Sequence, residues 1–438
     1  MTVGDILISY LGRGREPKHE EHASGRSGYI TSTYVMPDNQ SDTSSVFGWL
    51  LWKYLVRVAK DSARRDAPLP TLLILGTSGS MWAGLADAVP GEAWTDELLE
   101  WQETLKKKCN AANITQGDLD ASQKLLIPLL GIPDLRLRLI PDGNSREDQL
   151  EVLRCFLREL ANGDRITFDI THAYRHLPIL GAFTAMLLQW LRGVRIEHIY
   201  YGQFGSPTGS VVDVTLCADL ARGAEALANL ELTGNTEPLG SFFPRQKKDI
   251  AKVAYFERVN QMRKAESKAG PLCSALHQLA MKGNALQAAL APPLLRALKY
   301  SDRGSLPEHM LAQARRRFEH SDYSGALMLG TEAVLLYVAL AMKLIHKANR
   351  FGDDVRKKAR KDLLNCLNKD QKATFKRFNL LRNAVVHGAA ISYDTMVLNA
   401  LGDGDNDQLR KMINEGLTLA ENIMNKSIPL SRPTVRRE

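Results

Sequence analysis

RITFDITHAYRHLP (Arg165–Pro178) decides the fold. It opens as a short apolar and β-branched run, Arg165 to Ile170, and leads into LPILGAFTAMLLQWLR (Leu177–Arg192), whose apolar residues recur at helical spacing. Pro178 falls near the start of that helix, where a fixed φ and a missing N–H are tolerated. The turn between the two carries Asp169, Thr171, His172 and Arg175. A strand feeding a helix through a short turn is half of a crossover unit, and the pattern repeats outward in both directions. ILISYLG (Ile6–Gly12), TLLILG (Thr71–Gly76), LRLRLI (Leu135–Ile140) and VRIEHIYYG (Val194–Gly202) are further strand candidates, each separated from the next by enough chain for a helix. SVFGWLLWKYLVRVAK (Ser45–Lys60) and SREDQLEVLRCFLREL (Ser145–Leu160) have helical periodicity, the second with Ser145 as N-cap and Glu147 and Asp148 in its first turn. Strands alternating with helices imply a mostly parallel sheet covered on both faces. Residues 1–233 are therefore expected to form a Rossmann-like α/β domain.

After VVDVTLCADL the strand signals end. The segment 234–248, rich in Gly, Pro and polar residues, is the expected linker, and 249–438 the expected all-α domain. Leu311–Glu319, Gly325–Lys347 and Lys372–Gly388 are amphipathic, with Ser321 and Asp322 as a start signal and Gly388 as a stop. KKARK (Lys357–Lys361) reads as a solvated basic face.

The whole chain, 438 residues with 44% hydrophobic and 24% charged, has the composition of globular domains and excludes wholesale disorder and collagen-like repeats. Its most apolar stretch, Ala333–Met342, is bounded by Glu332 and Lys343, and at ten residues falls short of the ~18–20 needed to span a bilayer. It is expected to be a buried core helix. The three-residue apolar core Ile6–Ile8 is too short for a signal peptide, so the expected location is cytoplasmic, with no membrane partner. Five cysteines, Cys109, Cys155, Cys217, Cys273 and Cys366, form no C-x-x-C pair and read as reduced thiols. The net charge of +8 divides unevenly: residues 1–240 hold 23 Lys/Arg against 30 Asp/Glu, and 241–438 hold 34 against 19. The basic second half suits a polyanion such as nucleic acid, whereas the acidic first half would hold an anion only in a locally arranged pocket.

In open parallel sheets ligands sit beyond the carboxyl ends of the strands. There the first strand ends in Gly12, Arg13 and Gly14, and the second in GTSGSMW, with Gly76, Thr77, Ser78 and Ser80 suited to phosphate or ribose. Neither is a Walker A loop or a full G-x-G-x-x-G. For the third turn two readings stand: a ligand-binding cluster, or an Asp169–Arg175 pair with His172 as a cap. Here the sequence resembles a known family. D-I-T-H-A-Y-R-H-L-P, with the glycine turn, GTSGS and YGQF (Tyr201–Phe204), is similar to the CARF ligand-sensing domain of type III CRISPR accessory proteins. That family's signature is D-x-T-H-G-[FY]-R-x-x-P, matched here except for Ala173 in place of glycine. The resemblance implies that a cyclic oligoadenylate, by family habit cyclic tetra-adenylate, binds across a two-fold dimer. Gly12, Arg13, Gly14, Gly76, Thr77, Ser78, Ser80, Asp169, Thr171, His172, Arg175, Gly202 and Gln203 would contact it. The loop Arg13–Met36, long and charged, departs most from the family, and leaves the pocket's lid unassigned.

In the second half, RFNLLRNAVVHG (Arg377–Gly388) places Asn383 and His387 four apart on one helix face, flanked by Arg382, with Phe378, Leu381, Ala384 and Val385 opposite. It resembles the R-x-x-x-x-H motif of HEPN ribonucleases. A 2′-hydroxyl can attack its own phosphate without a metal; His387 can move the proton, Arg382 can stabilise the phosphorane, and Asn383 can orient either. Metal-independent cleavage to a 2′,3′-cyclic phosphate and a 5′-hydroxyl is expected, with no metal site and no cofactor beyond the activating cyclic oligoadenylate. The family implies a composite site shared by two protomers.

The expected function is a type III CRISPR accessory endoribonuclease of single-stranded RNA, a homodimer or higher homo-oligomer. It would be allosterically activated, the ligand preferring the competent arrangement. Two alternatives are a non-catalytic, nucleotide-responsive nucleic-acid-binding regulator, and a ring nuclease degrading its own ligand through His172 or Arg175.

Overall fold

The computed structural model describes residues 4–14, 27–61, 68–205, 208–299, 304–388, 394–402 and 406–430; the side chains of Asn349 and His387 also lie outside the description. The chain divides into two units, Met1–Asp219 and Leu220–Glu438.

The first unit is built on β1 Asp5–Leu11, β2 Ser32–Val35, β3 Ser41–Ser44, β4 Thr71–Gly76, β5 Leu135–Leu139, β6 Arg165–Asp169, β7 Arg195–Gln203 and β8 Thr208–Asp213. They lie in the order β3-β2-β8-β7-β6-β1-β4-β5. The stretch from β7 to β5 is parallel throughout. β8 is antiparallel to β7, β2 parallel to β8, and β3 antiparallel to β2. The expected mostly parallel α/β sheet is present. Beyond it, β2, β3 and β8 add an edge that was not anticipated. Their sequences, STYV, SDTS and TGSVVD, are too polar to resemble buried strands.

β1 shows why the centre was readable. Leu7 and Leu11 enter one core with Phe47, Leu72 and Ile74, while Ile6, Ile8 and Tyr10 enter the other with Phe156 and Phe168. A strand with both faces covered becomes a continuous apolar run. Five helices accompany this unit: α1 Phe47–Asp61, α2 Asp96–Asn110, α3 Gln116–Leu130, α4 Arg146–Glu159 and α5 His176–Arg192. Ser145 caps α4 by accepting from the Asp148 N–H at 3.0 Å, and Asp148 returns a bond to Ser145. At the far edge, α3 side chains take over the ladder of β5. Gln123 Oε1 accepts from Leu137 N at 3.2 Å, Gln116 Oε1 accepts from Leu139 N at 2.9 Å, and Gln116 Nε2 donates to the Leu137 carbonyl at 2.9 Å.

The second unit is helical: α6 Leu216–Thr233, which begins just before the division, α7 Lys247–Arg258, α8 Met262–Lys282, α9 Ala285–Leu298, α10 Leu306–Glu319, α11 Tyr323–Ala341, α12 Asp353–Cys366, α13 Lys369–His387, α14 Thr395–Gly402 and α15 Asn406–Met424. α11 is the one described helix long and apolar enough to cross a membrane, longer than the run expected from sequence, and most of it is buried within the unit. Asp322 caps α11 by accepting from Gly325 N at 2.9 Å. The expected boundary at 233 and linker at 234–248 differ from the division after Asp219. Ala226 and Leu230 of α6, and Leu239 and Phe243 within 234–248, are buried in the core of the second unit, which ties the segment to the helices. The five cysteines are free thiols.

Candidate functional site

β1, β4, β6 and β7 deliver their carboxyl ends to one cavity of about 610 Å³. Gly12, Arg13 and Gly14 line it from the end of β1, Thr77 and Ser80 from the turn after β4, Thr171 and His172 from the turn after β6, and Gly202 from β7. These eight expected residues are brought together. Gly76, Ser78, Asp169, Arg175 and Gln203, also expected to contact ligand, are not on its lining. The loop residues 15–26 lie outside the described residues.

The turns are stitched to one another. Ser80 Oγ donates to the Leu11 carbonyl at 2.6 Å and accepts from Thr77 N at 2.8 Å, joining β1 to the β4 turn. Met81 N donates to the Gly12 carbonyl at 2.9 Å. Thr171 Oγ1 accepts from Gly202 N at 2.7 Å, joining the β6 turn to β7. Gly12 is needed for proximity: a Cβ there would stand 2.7 Å from Ala173 N.

Asp169 is fully buried and sits beneath the cavity. Ser9 donates to its Oδ2 at 2.6 Å and Thr171 N to its Oδ1 at 2.8 Å. This replaces the Asp169–Arg175 pair considered from sequence. Arg175 instead takes the N-cap position of α5 and is exposed. Asp169 thus positions the turn. Burial pushes its carboxyl above the usual range, while His172 and the two hydrogen bonds oppose the rise. Burial pushes the His172 imidazole the other way, downward, against the pull of Asp169. His172 Nε2 has no hydrogen-bond partner among the described residues. Ala173, where the resembled family carries glycine, has φ +88°, the left-handed region that favours glycine.

Sequence reasoning missed the far wall. Ser32, Tyr34, Ser44 and Ser45 come from β2 and the end of β3, and Tyr174, Tyr201 and Phe204 add aromatic surface. The only available signal was the hydroxyl-rich SDTSS run, which resembles any loop. Burial pushes the Tyr34 phenol up to about 12, which leaves a neutral hydroxyl at the cavity wall.

In the second unit, α13 buries Phe375, Phe378, Leu381 and Ala384, with Val385 half-buried. Arg382 and Asn383 are half-buried, and Arg382 Nη1 donates to Asn383 Oδ1 at 3.1 Å. Gly388 ends the helix in the left-handed conformation, φ +61°. The His387 side chain, the third expected catalytic group, lies outside the described residues. No group of three or more metal-ligating side chains occurs among the described residues.

No family model matches the chain. It is similar to the CRISPR-associated protein MJ1674 of Methanocaldococcus jannaschii, 21% identical over 287 residues, 60% of this chain and 45% of that protein. The chain thus spans less than half the length of the curated relative it matches. Among solved structures, Enterococcus italicus Csm6 bound to cyclic hexa-2′-fluoro-hexa-dAMP aligns with 98% of this chain and 96% of its own, at 10% identity and a TM-score of 0.41. The chain is thus similar in sequence, over part of its length, to a CRISPR-associated protein, and it carries the D-x-T-H turn at the strand tips of an α/β unit that a helical unit follows.

Proposed function

We propose that the protein is an endoribonuclease of single-stranded RNA that needs no metal and is switched on by a cyclic oligoadenylate held at the strand tips of the first unit. The cavity carries this reading. It gathers an exposed Arg13, the hydroxyls of Thr77 and Thr171 and aromatic walls at Tyr174, Tyr201 and Phe204, a set suited to phosphates and stacked bases. The first unit would act as sensor and the second as nuclease. Gly12, Gly14, Ser80, His172 and Gly202 would shape the site. Gly76, Ser78, Asp169, Arg175 and Gln203, off the lining, would act through the turns or on a ligand that extends beyond one protomer.

A homodimer is supported by α5, which starts at the site's turn. Its inward face is Leu177, Gly181, Thr184, Ala185 and Leu188, while Ile179, Phe183, Leu187, Trp190 and Leu191 are exposed, Trp190 by 72%. A second copy covering that row would set two cavities about one two-fold axis, matching a ring ligand of the same symmetry. In the helical unit Arg382, Asn383 and His387 would act on the scissile phosphate, His387 as proton carrier and Arg382 as the charge that meets the phosphorane.

The test is cleavage of fluorescent RNA in EDTA, with and without a panel of cyclic oligoadenylates. Cleavage is expected only with one ring size, and His387→Ala should lower it at least a hundredfold with ligand affinity unchanged. Ligand binding without any cleavage by the wild type would leave a nucleic-acid-binding regulator. One observation favours a second activity: His172 lines the cavity, and its buried Nε2 has no hydrogen-bond partner among the described residues. Linear product from labelled cyclic tetra-adenylate, lost in His172→Ala, would establish a ring nuclease there.

A further inference from the structure

A second cavity, of about 390 Å³, lies wholly within the helical unit and away from the R-N-x-x-x-H helix. It falls in the size range of small-ligand sites, ~300–1,000 Å³. Its floor is α10. Gln313 is 4% exposed and its Oε1 has no hydrogen-bond partner among the described residues. An unpaired buried carbonyl is costly unless something donates to it.

One turn on, Arg316 and Arg317 present side chains that are 14% and 13% exposed. Both are held in place. Arg316 donates from Nη1 to the Ala297 carbonyl at 2.9 Å and from Nη2 to the Gly234 carbonyl. Arg317 donates from Nη2 to the Glu257 carbonyl and from Nη1 to Asp322 at 3.3 Å. A guanidinium has five N–H groups, so each keeps donors beyond these anchoring bonds. Arg258, paired with Glu237, stands more exposed on the lining. Against these three cations stand Glu257 and Asp322 on the lining and Glu237 paired with Arg258, so the formal charges balance and anion recognition rests on the placed guanidinium N–H groups. His320 Nδ1 donates to the Glu231 carbonyl at 2.7 Å.

Rigid, desolvated guanidiniums recognise a phosphate; a buried carbonyl waiting for a donor recognises an amine or hydroxyl. A nucleoside monophosphate carries both groups and is of a size that the cavity can take. We propose that this cavity binds a nucleoside monophosphate, its phosphate on Arg316 and Arg317 and an amine or hydroxyl of its nucleoside donating to Gln313 Oε1. The site is separate from both sites of the ribonuclease reading.

The test is calorimetric titration of the full chain with adenosine 5′-monophosphate and, separately, inorganic phosphate. Thr233, exposed on the lining, gives a plugging variant, Thr233→Trp, which should remove one equivalent of bound AMP per chain. Gln313→Leu should weaken that equivalent about tenfold, the effect of one buried hydrogen bond. It should leave the ligand-free chain at least as heat-stable as the wild type, because an unpaired carbonyl has gone. Inorganic phosphate should bind at least tenfold more weakly than AMP. Unchanged AMP stoichiometry and affinity in both variants would overturn the proposal, as would phosphate binding as tightly as AMP. Should Thr233→Trp not fold, Gln313→Leu decides alone. Neither readout depends on RNA cleavage or on cyclic oligoadenylate, so a failure here is distinct from a failure of the ribonuclease reading.

Discussion

Ala173 holds a backbone conformation made for glycine, φ +88°, in the turn that carries Thr171 and His172. A β-carbon in the left-handed region costs about 1–2 kcal/mol, partly offset by the lower entropy of the unfolded alanine chain. Ala173→Gly should therefore stabilise the first unit by about 0.5–1 kcal/mol and raise its melting temperature by about 1–4 °C in calorimetry. An unchanged or lower melting point would mean that the turn is not strained. The turn also shows what a linear reading can reach at this scale. The run D-I-T-H-A-Y-R located the site, because donors and cations crowd a strand end. It could not show that Asp169 answers to Ser9, 160 residues earlier, because that pairing exists only once β6 lies beside β1.

Among elements, those whose own composition states their environment were legible. β1 and β4 are apolar on both faces and needed no context, and the caps Ser145 and Asp322 announced their helices. β2 and β3 owe their strand state to neighbours, as their polar residues take ladder positions that β8 provides, so no local pattern marks them. The seat of α13 is likewise a contact between distant segments. Phe378 packs where Gly330 of α11 and Gly416 of α15 leave room, and a Cβ on Gly416 would approach its ring to 2.1 Å. Overpacking of this kind costs about 1–3 kcal/mol. Gly416→Ala is expected to lose that much in urea denaturation of the helical unit. RNA cleavage should fall with it, since Arg382 lies one turn beyond Phe378, while cyclic oligoadenylate binding by the first unit persists. Loss of ligand binding instead would place the damage elsewhere.

For the whole molecule, the sequence carried the division of charge and of architecture but not the orientation of α5. Its periodicity shows an apolar helix without saying which side is packed. Small residues, Gly181, Thr184 and Ala185, turn inward, and the bulkiest, Phe183 and Trp190, stand 64% and 72% exposed. This exposed row is the surface that the dimer reading gives to the second copy. Trp190→Glu should convert a dimer to a monomer in sedimentation, with activation by ligand lost and the fold intact by circular dichroism. A wild type that sediments as a monomer at micromolar concentration would refute the dimer reading.

The rim of the sheet bears on how copies can meet. At β5 the glutamines of α3 already hold the amide and carbonyl groups that an incoming strand would need, and at β3 Asp42 is engaged by Lys53 and Arg57. Lateral zippering of one copy onto another, the usual route from folded chain to fibril, is thereby obstructed at both margins. Self-association is steered toward side-chain surfaces, where a finite complex can close on itself.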